Sequence, residues 1–459
     1  MFDKINKILP FFVILLLARA TAQQIPPSTI KPNIIFVLTD DQRFDALGAA
    51  GNTIIKTPNL DQLAARGLLY QNAYVTTSIC CVSRASILTG QYESRHKIND
   101  FGTDFSPSAL QNTYPPLLKK AGYKIGFVGK YGVGENPPAE EFDYWSCNKK
   151  GQPPYIYKDA QGRPVHHTDS VSHDIEIFLN KFAGKGPFCL SVGFKAPHEL
   201  DGKPPKYVTQ ARFDDLYKDV TIPIPETADP KYWNSFPDFF RTDNNVARDR
   251  WNWFFSTPEK YQESVKDYYR LVTGVDEAVG KMIAQLKKLG IDKNTVVIFM
   301  GDNGFYLGEH GLEGKWYGHE ESIRVPLIVY DPRGQNNGRK VEDMVLNIDI
   351  APTILSLAGA SVPDRMQGKA LQALSGKKQL PRKDFFYEHT FNKSPKIPQV
   401  EGVVGRAFKY MKFIEHGYEE LYNTKTDPKE TKNLAADKRY LAKLEEMRKL
   451  YIVKKEEVK

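Results

Sequence analysis

Five short, unbroken apolar runs constrain this chain most: IIFVLT (Ile34–Thr39), IGFVG (Ile125–Gly129), FCLSVGF (Phe188–Phe194), TVVIFM (Thr295–Met300) and PLIVY (Pro326–Tyr330). A strand solvated on one face alternates apolar and polar residues, whereas a strand covered on both faces does not. The runs therefore predict a parallel sheet between layers of helices. The segments between them carry the helical period. TPNLDQLAARG has Thr57 as a cap, Pro58 in the first turn, Leu60, Leu63 and Ala64 on one face and Gly67 as a stop. Val171, Ile175, Phe178 and Phe182 form a second stripe, and residues 260–289 a third, with Val265, Tyr268, Val272, Val275, Val279, Ile283 and Leu286. Strand and helix alternating in this way give an α/β domain.

Two regions break the pattern. Residues 200–256 show no period and are rich in Pro, Trp, Tyr and Phe; so long an aperiodic stretch is expected to cover a site. After about Pro363 the runs DFFYEH, AFKYMKFIEH and EELYNT read as antiparallel strands, and 434–450 as a helix with Leu441, Leu444 and Met447 on one face. The expected organisation is a catalytic domain over 23–365 and a smaller C-terminal α+β subdomain with a short antiparallel sheet over 366–459.

The start of the chain reads as an export signal: lysines in MFDKINK, the apolar ILPFFVILLL, and Ala20-Thr21-Ala22 as a cleavage site, so 1–22 is a signal peptide. The apolar stretch is too short to span a bilayer comfortably, so an exported, periplasmic or secreted protein without a stable membrane anchor is expected. Net charge is +8, which suits an anionic substrate, but no Lys/Arg block marks a nucleic-acid arm. Four cysteines, two of them adjacent, do not form a disulfide framework.

Polar residues follow the strand runs. Asp40-Asp41 follow the first, Lys130 the second, Lys195-Ala196-Pro197-His198 end the third and Asp302-Asn303 follow the fourth. Open parallel sheets bind ligands outside the carboxyl ends of their strands, so these groups meet at one edge. Single Asp residues there can be caps. Adjacent acids at one strand end with Asp-Asn at another better suit a hard cation such as Ca²⁺, which takes six to eight oxygen ligands. Three acids without a cation would repel one another.

The adjacent cysteines lie in SICCVSRASILTGQY (Ser78–Tyr92). Bridging neighbours strains the peptide between them and closes almost no loop. The stretch resembles the Cys-x-Pro/Ala-Ser-Arg…Leu-Thr-Gly signature of type I, formylglycine-dependent sulfatases of the alkaline-phosphatase-like superfamily; its Cys-Cys form resembles the N-acetylglucosamine-6-sulfatase branch. Aligned on Arg84, the modified position is Cys80. The blocks PNIIFVLTDDQ, AGYKIGFVGK, KAPH, GDNGFYLGEHG, GKWYGHEESIRVPLIVY and ELYNTKTDPKETKNLA match the family in order along most of the chain.

The resemblance implies that a maturation enzyme oxidises Cys80 to Cα-formylglycine, whose hydrate is the nucleophile. It implies Asp40, Asp41, Asp302 and Asn303 as Ca²⁺ ligands, with modified Cys80 completing the shell. Arg84, one helical turn on, reaches back toward these groups; Lys130 and Lys315 hold the diol and the sulfate oxygens; His198 is the general acid or a sulfate ligand. His310 and His389 are candidate sugar-binding residues. Two positions depart from the family. Val82 replaces the Pro/Ala read by the maturation machinery, and Gly132 in GKYGVG stands where many members have a histidine. His310, His319 or water would then take that role.

The reading is a calcium-dependent sulfatase acting on a sulfated polysaccharide or its oligosaccharides, whether an algal polymer such as ulvan or carrageenan or a glycosaminoglycan. The alternatives are a phosphodiesterase or phosphonate hydrolase of the same superfamily, and an unmatured glycan-binding protein that retains the pocket.

Overall fold

Burial on both sheet faces explains the unbroken apolar runs. In the computed structural model, Ile34, Phe36 and Leu38 of the first strand enter one apolar cluster, and Ile35 and Val37 enter the other. Val296, Ile298 and Met300 divide from Val297 and Phe299 in the same manner. The structure describes residues 31–149, 151–242, 244–334, 338–371, 381–391, 393 and 397–459. The expected signal peptide lies outside them.

Eight strands form the main sheet: β1 (Asn33–Asp40), β2 (Leu68–Tyr74), β3 (Lys124–Gly129), β4 (Tyr144–Cys147), β5 (Phe188–Pro197), β6 (Thr295–Gly301), β7 (Leu327–Tyr330) and β8 (Arg339–Leu346). Their spatial order is β8-β2-β7-β6-β1-β5-β3-β4. All neighbours pair in parallel except β7, which is antiparallel to both β6 and β2. The expectation of a parallel partner for PLIVY is thereby corrected. The connection from β6 to β7 folds as turns and a small ribbon over the edge where β6 ends, so the chain re-enters from that edge; a parallel return needs a crossover to the opposite one.

One face of the sheet is covered by the helices His167–Phe182 and Pro258–Lys288, whose Val171, Ile175, Phe178, Val275 and Val279 share a cluster. The other is covered by Cys80–Thr89, Tyr114–Lys120 and Ile350–Leu357. Thr57 does occupy the helix-cap position, but its hydroxyl makes no capping bond. It accepts from the Gly48 amide at 2.9 Å and donates to Asp61 at 3.0 Å.

Four antiparallel strands, β9 (Asp384–His389), β10 (Val400–Gly405), β11 (Lys409–Phe413) and β12 (Tyr418–Tyr422), form the C-terminal sheet in sequential order. The last helix is Leu441–Glu457, starting later than its apolar spacing implied. The Leu434 amide is held by the carbonyl of Leu421 in β12, and Asp437 closes a tight turn on the Arg439 amide before the helix starts. Leu444 and Met447 are buried, while Leu441 is exposed. Pro32–Lys459 make one compact unit. The small sheet is tied to the larger part by Tyr387, whose hydroxyl donates to the Trp316 carbonyl at 2.7 Å, and by buried Lys409, 2.8 Å from Glu320.

Candidate active site

Adjacent strands β6, β1, β5 and β3 deliver Asp302-Asn303, Asp40-Asp41, His198 and Lys130 to one edge. Cys80 is the first residue of its helix, in the stretch following β2, and Lys315 follows the Glu313–Gly314 ribbon strand. All eight residues are buried, as is Arg84.

Ion pairs lock the site together. Lys130 Nζ contacts Asp40 Oδ2; Lys315 Nζ lies 2.5 Å from Asp41 Oδ1 and 3.3 Å from Cys80 Sγ. Arg84 Nε donates to Asp302 Oδ2 at 2.8 Å and its Nη1 to the Lys130 carbonyl at 2.6 Å. The Asp41 amide donates to Asp302 Oδ1 at 3.1 Å, and Asn303 Nδ2 to Asp41 Oδ1 at 2.7 Å. His198 Nε2 stands 3.5 Å from Asp41 Oδ2, while its Nδ1 is 2.6 Å from the Glu199 carbonyl oxygen.

The charges are unequally settled. Burial works to raise Asp40, but Lys130 first, then His198, Arg84 and Lys315, hold it well below the usual carboxylate range. Burial prevails at Asp41, which is raised, and pushes Asp302 up to about 7 with help from the Asp40 charge. Three buried oxygens, Asp40 Oδ1, Asp41 Oδ2 and Asn303 Oδ1, have no hydrogen-bond partner. Ligand atoms of Asp40, Asp41, Cys80 and His198 lie within 4.8 Å of one another. Unpartnered hard oxygens on two crowded carboxylates and an amide carbonyl are the donor set a hard divalent cation needs, so the residues fit one. Asp302 has both oxygens engaged by protein donors and adds charge to this set while already hydrogen-bonded.

The Cys80 thiol is pushed up to about 12, by burial first and then by Asp40. A thiol held neutral is a weak nucleophile, so Cys80 is a poor catalyst as an unmodified cysteine. Cys81 and Val82 are fully buried in the apolar cluster. Cys80, Cys81, Cys147 and Cys189 are all free.

A cavity of about 330 Å³ opens over these groups, with Asp41, Cys80, Lys130, His198 and Lys315 in its lining. Its other walls are largely apolar, with Phe101, Phe305, Trp316, Phe391 and Ile397. Asp201, Val246 and Arg250 also reach it, so the aperiodic 200–256 stretch does form part of the enclosure.

His310 and His389 do not line it. His310 stacks on His319, ring centroids 4.4 Å apart, beside Tyr232 and Phe236; His389 is fully buried near Phe391. His319 is likewise absent from the lining, its Nδ1 2.7 Å from the Tyr306 hydroxyl. Burial depresses all three imidazoles, His310 to about 4 and His389 to about 3. None of the three is among the residues lining the cavity, which Gly132 does line. Gln152, 3.3 Å from His198 Nε2, and Arg250 are lining residues for which the sequence held no signal.

Residues 32–360 match the sulfatase family profile. The chain belongs to the sulfatase family. Residues 308–457 also match the profile of the N-sulphoglucosamine sulphohydrolase C-terminal region. An N-acetylglucosamine-6-O-sulfatase of Bacteroides thetaiotaomicron is 28% identical, covering 96% of this chain and 89% of its own length. An ulvan-active sulfatase of Formosa agariphila is 29% identical over 78% of this chain and 67% of its own. Among solved structures, one in complex with its substrate D-glucosamine-2-N,6-O-disulfate superposes with TM-score 0.77 at 25% identity, covering 93% of this chain and 98% of that one. A phosphonate monoester hydrolase of Agrobacterium radiobacter shares the fold, with TM-score 0.79 at 20% identity and coverage of 94% and 96%. The sulfatase is thus a sulfuric ester hydrolase with the alkaline-phosphatase-like fold. No helix among its described residues is long and apolar enough to cross a membrane.

Proposed function

We propose that this sulfatase removes sulfate from a sugar of a sulfated polysaccharide or its oligosaccharides, using Ca²⁺ and a formylglycine made from Cys80. The observation carrying this reading is the group of unpartnered oxygens of Asp40, Asp41 and Asn303 at a cavity that also contains Cys80, Lys130 and Lys315. Asp40, Asp41, Asp302 and Asn303 would hold the cation. When bound, the cation and the hydrated formylglycine supply Lewis acidity and an oxygen nucleophile.

The chain's own residues do the rest. Lys130 and Lys315 place positive charge where sulfate oxygens bind and where negative charge grows in the transition state. Arg84 fixes Asp302 and the Lys130 main chain, preventing either from relaxing as charge develops. His198, with Nδ1 directed at the Glu199 carbonyl, presents Nε2 to the cavity; burial and then Lys315 keep it neutral in the free enzyme, so it gains a proton as the anionic sulfate ester binds and passes that proton from Nε2 to the leaving sugar oxygen. The aromatic wall of Phe101, Trp316 and Phe391 suits the apolar face of a pyranose.

We place N-acetylglucosamine 6-sulfate first among substrates, on the similarity to the Bacteroides enzyme, and ulvan, carrageenan and glycosaminoglycan oligosaccharides next. We also read cleavage after Ala22, export to the periplasm or medium, and division into 23–365 and 366–459. The test is sulfate release from that oligosaccharide panel, with an aryl phosphodiester in parallel. Release from the sulfated sugars and little phosphodiester turnover supports the proposal; the reverse preference assigns the site to phosphodiesters.

A further inference from the structure

One guanidinium ties together the two segments that carry His198 and Lys315. Arg250 lies on the helix Val246–Phe254, within the aperiodic insert. Its Nε donates to Glu313 Oε2 at 2.5 Å, and its Nη2 pairs with Glu199 Oε1 and reaches Glu313 Oε1 at 3.4 Å. Asp201 Oδ1 is 3.8 Å from its Nη1. Both glutamates have fully buried side chains. Glu199 adjoins His198, and its Oε1 is 3.5 Å from His198 Nδ1. Glu313 precedes Lys315 by two residues, in a ribbon strand paired with Leu307. His198 and Lys315 in turn converge on the two oxygens of Asp41.

Two buried carboxylates so close would repel each other and drive their segments apart; a shared cation reverses the sign of that force. We propose that Arg250 is a positioning residue. It clamps the His198-Glu199 and Glu313–Lys315 segments so that imidazole and ammonium address the same sulfate group. Its place in the cavity lining admits a rival role, direct contact with the sugar, and the two roles separate by substrate.

The clamp acts on groups that meet sulfate, so its loss must be felt by every sulfate ester. The proposal rests on the sulfatase reading above; the wild-type enzyme must first release sulfate from both an aryl sulfate and a sulfated oligosaccharide, and failure there refutes that reading, not the clamp. Arg250→Met is expected to lower kcat about a hundredfold on the sulfated oligosaccharide, the scale of a roughly 1 Å misplacement of catalytic groups, and by a smaller but clear factor on the aryl sulfate, which does without the His198 proton but still needs Lys315. Adding Glu313→Gln, which removes one repelling charge, restores part of the loss, and Arg250→Lys falls between wild type and Arg250→Met. A loss confined to the oligosaccharide, or an unchanged kcat per folded molecule with only a lower Tm, overturns the proposal. Should Arg250→Met fail to fold, Arg250→Lys alone decides: a lower kcat on both substrates supports the clamp, and wild-type kcat on the aryl sulfate refutes it.

Discussion

Replacing Gly132 with the histidine that many relatives carry there is expected to harm this enzyme. Gly132 has φ +75°, and an added Cβ would sit 2.7 Å from Arg84 Cδ and 3.2 Å from Lys130 Cε. A left-handed backbone costs a residue with a side chain ~1–2 kcal/mol. The Arg84 stem has little room to yield, being pinned at Nε by Asp302 and at Nη1 by the Lys130 carbonyl. Overpacking against a fixed neighbour adds ~1–3 kcal/mol, for a total of about 2–5 kcal/mol. Gly132→Ala isolates the backbone and Cβ part; Gly132→His adds the ring. Urea unfolding followed by tryptophan fluorescence measures both, and aryl-sulfate turnover is recorded on the same samples. Both variants should be destabilised in that range, with lower turnover because the Arg84–Asp302 pair shifts. Stability within ~0.5 kcal/mol of wild type, or a Gly132→His enzyme faster than wild type, would mean that neither the backbone at Gly132 nor the fixed Arg84 stem excludes a side chain there.

Other perturbations separate the roles assigned above. His198→Ala should cost about 10²–10⁴-fold in kcat on a sugar sulfate, but far less on a nitrophenyl sulfate, whose leaving group needs no proton. Equal losses on both would remove the general-acid role. Chelation with EGTA should abolish turnover and lower Tm, because Asp40, Asp41 and Asp302 would lose their compensating charge; calcium should restore both better than magnesium. Glu93 is pushed up to about 8, by burial first and then by Glu388, and Glu388, mainly through burial, up to about 7. Their ionisation opposes folding. The stability they allow is therefore full below the unfolded value near 4.5 and lost as pH rises through 7–8. Glu93→Gln, keeping the hydrogen bonds to Thr77 and Thr390 in reach, should flatten that slope in Tm-against-pH scans.

Sequence reasoning went furthest where chemistry sat at a strand end. The runs ending in Asp40-Asp41, Lys130, His198 and Asp302-Asn303 became four adjacent strands, because burial on both faces leaves an unmistakable apolar signature. It missed β2, where LLYQNAY carries half-buried Gln71 and Asn72, and the edge strand β8, whose exposed Arg339 and Lys340 conceal its pairing with β2. The direction of β7 was illegible, since a strand's residues do not record which edge the chain enters from. His310 shares the block GDNGFYLGEHG with Phe305 of the cavity lining, yet the turn at His310, φ +56°, points its ring into the His319 stack, and His389 lies in the strand run DFFYEH, none of whose residues reaches the cavity. Arg250, Glu199 and Glu313 escaped notice because their partnership joins three segments remote in sequence.

The proposed chemistry depends first on Cys80 becoming the nucleophile despite Val82 beside it. Mass spectrometry of the Cys80 peptide, from protein made in its native host and treated with a hydrazide to trap aldehydes, addresses it directly. A hydrazone at position 80 is expected in a preparation that releases sulfate from sulfated sugars. An unmodified Cys80 thiol throughout a preparation that still releases sulfate would contradict the mechanism, and an unmodified thiol without sulfate release would contradict the enzymatic reading itself.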